Sequence, residues 1–254
     1  MRSLRAALAL CGAFATSCGA FAQSAIPSGT ILPMRLDMTI SSKMKAGEIV
    51  RATVMQDVKL AGGMKIRHGS KVSGEIVEVT PATNAETARV SLRFDTLTES
   101  RNTMSIRTNL RAIASLMEVD EAQVPETGAD YGTAKSAWTT RQIGGDQVYR
   151  GGGPVMEGGT KVGEPVYDGV RVHVVPNPDG NCRGEVDGND SEQEVWVFSA
   201  NACGTYGLEN VEIVHAGRTE PAGEIVLAPR KGELKIPRGA GMLLRVNASD
   251  AKKS

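Results

Sequence analysis

The sequence predicts an all-β protein: an antiparallel barrel or sandwich carrying a loop-rich, disulfide-bearing β insertion or second subdomain. Three observations lead there. A five-residue phrase is written three times, as Ile26-Pro27-Ser28-Gly29-Thr30, Ile66-Arg67-His68-Gly69-Ser70 and Ile236-Pro237-Arg238-Gly239-Ala240. Apolar and polar residues alternate with period two along several stretches, the mark of strands with one buried face. Glycine is abundant, at 29 residues, while aromatic residues make up only 4%. That balance suits strands and turns around a modest aliphatic core.

Residues 1–22 read as a signal peptide. Arg2 and Arg5 precede an apolar run from Ala6 to Phe21, and Ala20-Phe21-Ala22 forms an A-x-A cleavage site before Gln23. The run is short and broken by Thr16, Ser17 and Gly19, which argues against a membrane span. The mature chain is therefore expected to be exported, periplasmic or secreted, with no integral membrane span. Lipidation at Cys18 stays open, although Ala15-Thr16-Ser17 is a poor approach to a modified cysteine. Lys and Arg together number 29, as do Asp and Glu, and losing Arg2 and Arg5 tips the mature chain slightly acidic. Such a balance excludes a basic footprint for nucleic acid or anionic lipid.

Residues 23–115 form the first β segment. The repeated phrase supplies its corners, because glycine at the fourth place allows positive φ and proline at the second presets the entry angle. Pro27, Gly29, Gly69, Pro237 and Gly239 are accordingly structural-turn residues. Val50, Ala52 and Val54 alternate with Arg51, Thr53 and Met55; Val90, Leu92 and Phe94 alternate with Arg89, Ser91, Arg93 and Asp95. Between Ile76 and Val77 the apolar phase slips by one, which predicts a bulge. Ala112 to Met117 reads as a short helical turn.

Residues 116–147 lack clear periodicity and read as a linker or loop. Residues 148–232 are expected to form a disulfide-bearing β subdomain, with short strands at Val170–Val175, Glu194–Phe198, Val211–His215 and Glu224–Leu227. Cys11 and Cys18 fall in the leader, so Cys182 and Cys203 remain, and an even pair in an exported chain predicts a disulfide. It would close a loop of about 20 residues, worth roughly 3 kcal/mol on the chain-entropy account. Residues 233–247 hold a closing strand, packed with the first segment, and residues 248–254 a disordered tail.

The order of the front motifs resembles the C-terminal β-barrel domain of the VirB10/TrbI family of type IV secretion and conjugation channels. Ile26-Pro27-Ser28-Gly29-Thr30-Ile31-Leu32-Pro33 is followed by Ser41-Ser42-Lys43, Gly47, Ala52-Thr53-Val54, Ile66-x-x-Gly69-Ser70 and Gly74-Glu75. Arg67 stands where the family pattern has its second proline. The ending Leu234-Lys235-Ile236-Pro237-Arg238-Gly239 to Leu243-Leu244-Arg245-Val246 is similar to that family's closing strand. The resemblance covers about ninety residues at the front and fifteen at the back, and it implies a barrel in a channel subunit. The front segment is also similar to those of small exported bacterial proteins, and the chain is expected to belong with these.

Sites of chemistry are sparse. Asp187-Gly188-Asn189-Asp190-Ser191-Glu192 has the oxygen ligands that calcium favours. Read as a twelve-residue loop from Asp179, however, it puts Arg183 at a ligand position and Asp190 where a bidentate glutamate belongs, so a solvated acidic turn is expected. His68, His173 and His215 stand in turn or strand contexts without a G-x-S-x-G elbow, and His215 reads as a satisfied, partly buried histidine. Cys182 and Cys203 lack the C-x-x-C spacing of a redox pair. Gly151 to Gly153 lacks the helix start and Lys-Ser/Thr pair of a phosphate cradle. Trp196 and Phe198 read as core, with a peptide or glycan contact as the alternative, and Trp138 and Tyr149 add aromatic surface.

These readings assign no catalytic, cofactor or metal residue. They predict a non-enzymatic exported cell-envelope protein with a binding or assembly role, whose envelope protein or glycan partner is unknown. A homo-oligomer is an open outcome. The alternatives are a VirB10/TrbI-like channel subunit and, less favoured, an envelope hydrolase.

Overall fold

The repeated phrase makes the same corner at all three places in the computed structural model, which describes residues 26–84, 86–125, 139–149, 153–176 and 191–247. In each copy the second residue's carbonyl accepts from the fifth residue's N–H: Pro27 from Thr30 at 3.2 Å, Arg67 from Ser70 at 3.1 Å, Pro237 from Ala240 at 3.2 Å. The intervening Gly29, Gly69 and Gly239 lie at φ 91°, 87° and 93°, a left-handed conformation that glycine adopts at no steric cost. Each corner then docks on the end of a neighbouring strand through two backbone bonds. Gly29 N–H donates to Val246 O and Val246 N–H to Thr30 O; Gly69 and Ser70 treat Val54 the same way, and Gly239 and Ala240 treat Leu36 so. The phrase thus ends one strand and starts its antiparallel partner in register.

From the first corner the chain runs through β1 (Ile31–Leu36), the short β2 (Ile40–Ser41) and β3 (Ile49–Val54). A small hairpin of β4 (Val58–Lys59) and β5 (Lys65–Ile66) leads to the second corner. Next come β6 (Lys71–Thr80), β7 (Arg89–Glu99), β8 (Asn102–Ser105) and β9 (Thr108–Ala114). The expected alternation holds for its apolar members and its arginines: Val50, Ala52, Val54, Val90, Leu92 and Phe94 are buried and Arg51, Arg89 and Arg93 face out, whereas Thr53 and Ser91 are buried as well. The β6–β7 register shifts between Ile76 and Glu78, where the phase slip predicts a bulge, and again between Ser73 and Gly74. A Cβ on Gly74 would lie 1.7 Å from the Arg93 carbonyl oxygen, so the second shift admits only glycine.

The helical turn expected over Ala112–Met117 is displaced. Ala112 to Ala114 belong to β9, which is buried along its whole length and paired on both sides, and that pairing overrides local helix preference. Helix α1 (Leu116–Glu121) begins only after Ser115, whose Oγ accepts from the Glu118 N–H and caps it.

A second sheet follows, with six strands in chain order: β10 (Thr139–Arg141), β11 (Gln147–Tyr149), β12 (Val155–Glu157), β13 (Thr160–Val166), β14 (Gly169–Val172) and β15 (Gln193–Glu194). It starts inside the stretch read as linker, because Thr139–Arg141 pairs with Gln147–Tyr149 around Gly144 and Gly145. The chain then returns to the first sheet with β16 (Gly204–Tyr206), β17 (Val211–His215) and β18 (Ile225–Pro229). The span 148–232, expected as one subdomain, is therefore shared between two sheets. β19 (Lys235–Ile236) pairs with β2, and β20 (Gly241–Val246) lies between β1 and β9, joining the last strand to the front segment.

The first sheet has the order β16-β9-β20-β1-β3-β6-β7-β18-β17, with β8 on β7. It curls until its ends meet, Leu110 N–H on β9 donating to the Ala216 carbonyl beyond β17 at 2.8 Å, a nearly closed barrel. Leu32, Met34, Phe94, Met242 and Leu244 fill its interior. Ile31, Ala112 and Leu243, the alternate residues of the same wall, join Val148, Val172, Trp196 and Phe198 in a second core under the other sheet. The β1–β20–β9 wall is thus buried on both faces, which explains its nearly unbroken apolar run.

Polar side chains fasten the second sheet to this wall. Gln56, fully buried, donates to Val170 O at 3.0 Å and accepts from Trp196 N–H at 2.6 Å. Gln193 accepts from Ile31 N–H at 3.0 Å. The strand expected over Glu194–Phe198 ends at Glu194: Trp196 turns to φ 55° as Gln56 takes its N–H, and Phe198 N–H bonds back to Val195 O at 2.9 Å. Trp196 and Phe198 are both core, as expected.

Candidate functional site

The corner residues Pro27, Gly29, Gly69, Pro237 and Gly239 shape backbone, as described above. Cys203 is buried immediately before β16; Cys182 lies outside the described residues, and with it the expected pairing. Asp187 to Asp190, Gly151, Gly152, Trp138 and the leader also lie outside them. Tyr149 lies exposed on β11.

The histidines occupy three separate settings. His215 is partly buried and satisfied, with Nδ1 2.7 Å from the Glu224 carbonyl and Nε2 3.1 Å from Thr219 Oγ1. His173 Nε2 lies 3.7 Å from the Glu192 carboxylate. His68, in the second corner, places Nδ1 2.9 Å from Asp168 Oδ2 on the β13–β14 turn, and so ties the barrel corner to the second sheet. Its own N–H donates to Asp57, which also accepts from Lys65; these two contacts, Lys65 first, hold the Asp57 carboxyl below its ordinary range. Among the described residues no three His, Cys, Asp or Glu side chains converge as a metal site would require.

One buried acid escapes sequence reasoning. Asp146 sits in the Gly144-Gly145-Asp146 loop, where glycines and an aspartate ordinarily mark a solvated turn, yet it is fully buried. Its Oδ2 accepts from the Ala200 N–H at 2.7 Å, and its Oδ1 has no partner. Burial pushes its carboxyl up to about 6, with the Glu157 charge adding and the Ala200 N–H opposing. Glu157 is held by Asn201 at 2.8 Å, and Asn201 accepts from Ser199 Oγ at 2.6 Å. The cluster fastens the 198–201 turn to the second sheet.

The surface above this loop is open. A groove of about 860 Å³ lies between α1 and the β10–β11 hairpin. Ala122 and Ile143 line it, Arg141 stands on one wall, and Glu118, Asp120 and Glu121 on the other. Val124, 62% exposed, also lines it, and Leu116 and Met117 on α1 are 40% and 70% exposed. Clustered exposed apolar side chains with a polar rim are the usual signature of a contact surface. The sequence signal was present in Leu116-Met117, but the strandless stretch gave no sign of which wall would face it.

No protein-family model matches the chain, and no curated protein matches it. Among the described residues no helix is long and apolar enough to cross a membrane.

Proposed function

We propose that the protein is a non-enzymatic, exported cell-envelope protein that binds or assembles through the groove beside α1. The observation that carries this reading is the exposure of Val124 in a groove with an acidic wall, with Met117 exposed on the helix that forms that wall. The surface is prearranged: α1 is capped by Ser115, and its buried Val119 packs with the second core. A partner with apolar side chains flanked by basic ones fits it. The leader-like residues 1–22 support export.

A photo-crosslinking residue at Met117, in cells producing the full chain, tests the reading. A defined adduct at position 117 that disappears when V124D is added, and is absent with the crosslinker at Lys59, is the expected result. Equal labelling at both positions, or none at Met117, would overturn it. Mass spectrometry of the recovered protein checks export, with Gln23 expected as the new N-terminus.

The pairing of β20 with β1 favours a second reading, the VirB10/TrbI-like channel subunit, since the resemblance joins those same two ends of the chain. A ring needs a heterologous interface between copies. A solution mass of many protomers would support it, and a monomer would count against it.

A further inference from the structure

We infer that Asp146 is a pH-sensitive latch on the groove beside α1: protonated, it holds the β10–β11 hairpin against the 198–201 turn, and on losing the proton it lets the hairpin move. As a control on binding this rests on the groove reading above; as a movement of the hairpin it does not.

The hairpin is one wall of the groove, through Arg141, Gln142, Ile143, Gly144 and Gly145. Three bonds fix it to the segment behind. Ile143 N–H donates to Val197 O at 2.8 Å, Ser199 N–H to Ile143 O at 2.9 Å, and Ala200 N–H to Asp146 Oδ2 at 2.7 Å. The two parts approach closely, since a Cβ on Gly144 would lie 2.0 Å from Ser199 Oγ. Of the three bonds, only the last ends on a side chain that titrates.

The surroundings of Asp146 disfavour its charge. The residue is fully buried, and its Oδ1 is enclosed without a partner. From β12, Glu157 adds a like charge. The 198–201 turn offers the neutral Ser199 and Asn201, and Arg141 of β10 is exposed in the groove. From the barrel, Arg111 of β9 spends its N–H groups on carbonyls, including Ala202 O at 2.9 Å and Ala200 O at 3.3 Å. Among the described residues no cation pairs with the carboxylate. Burial first, with Glu157 adding, therefore holds the carboxyl up at about 6.

A buried, unpaired carboxylate is relieved when water reaches it, and here water needs one of the two parts to move. Arg111 holds the turn from behind. The hairpin tip has Gly144 and Gly145 at φ 108° and 116°, from which glycine departs freely. The hairpin is therefore the part that gives. The folded value lies above the ordinary one, so the closed hairpin is favoured in acid and loses ground as pH rises through 6.

Amide hydrogen exchange of the purified full chain at pH 5 and pH 7, corrected for the intrinsic rate, tests this. Opening read at Ser199 and Ala200 should rise about tenfold between those values in the parent. It should rise less in E157Q, which keeps an oxygen for Asn201 and removes the like charge. In D146N, which has no proton to lose, it should not change with pH, and Val54 at the barrel corner should stay protected throughout. Equal opening at both pH values in the parent, or the same rise in D146N, overturns the inference. The photo-crosslinker at Met117 separates latch from groove, in cells held at the same two pH values. Its adduct should weaken at pH 7 in the parent and not in D146N. An adduct indifferent to pH beside amides that respond overturns the control of binding. No adduct at either pH sinks the groove reading alone, since the amides still decide the latch.

Discussion

The barrel and the sheet that covers it are held by different forces. The barrel interior is aliphatic, built from Leu, Ile, Val and Met around Phe94, with long strands whose alternate residues all reach the same core. The covering sheet has mostly short strands, and a core of Val148, Val155, Val170 and Val172 that needs Trp196 and Phe198 from outside its strands. Its attachment runs through buried polar groups: Gln56, Gln193 and Arg111 across to the barrel, with Arg171 and Glu194 paired at 2.9 Å within it. Hydrophobic burial is tolerant of small displacements, whereas a buried hydrogen bond fails outright when one partner is lost. The barrel should therefore lose stability in proportion to volume removed, and the covering sheet should come away from it at single points.

The largest effect should come from Phe94→Ala in the barrel. Phe94 is almost fully buried on β7, and its removal should destabilise the protein by about 3–5 kcal/mol, read from urea unfolding. A loss below about 1 kcal/mol would show that the barrel interior is less tightly packed than the contrast requires.

Gln56→Ala comes next. It leaves the Trp196 N–H buried without a partner, at a cost of about 1–3 kcal/mol if no water enters, and takes from the Val170 carbonyl one of its two donors, the Val195 N–H remaining. Proteolysis should reach the 139–194 region faster than in the parent, with the barrel strands still protected. Uniform acceleration across both sheets would break the comparison.

The smallest effect concerns Asp146 and depends on pH. Its folded pKa, about 6, lies above the ordinary 3.8, so the native state binds the proton more tightly than the unfolded chain. The stability this gives is fully present below about pH 4 and lost as pH rises through 6, by at most about 3 kcal/mol. Asp146→Asn keeps an oxygen for the Ala200 N–H and has no charge to bury. Relative to the parent it should gain stability between pH 4.5 and 7.5, measured as a difference in unfolding midpoint. A difference independent of pH would place the Asp146 carboxylate in water.

Much of the barrel was legible in the chain, and little of the candidate sites. The phase slip at Ile76 marks a bulge because a single extra residue inverts the burial of all that follow. The linker reading of 116–147 missed the β10–β11 hairpin because Thr139–Arg141 is three residues long and carries no alternation to detect. Asp146 stands in a turn-like Gly144-Gly145-Asp146 sequence, and nothing local marks Arg111 as a buried side chain. Each became a buried charge through segments far away in sequence, the 198–201 turn for one and the 175 and 200–202 carbonyls for the other.

The sequence by itself determined the three corners and the strands they launch. A turn needs only the φ of Gly29, Gly69 or Gly239 and a carbonyl two residues before that glycine, and a half-buried strand needs only its own period of two. Tertiary structure alone decided which strand ends those corners cap, that β16 to β18 leave the covering sheet for the barrel, and that Asp146 is buried against the 198–201 turn. Those outcomes depend on pairing between distant strands and on burial of charge, and neither is encoded in any local stretch of the chain.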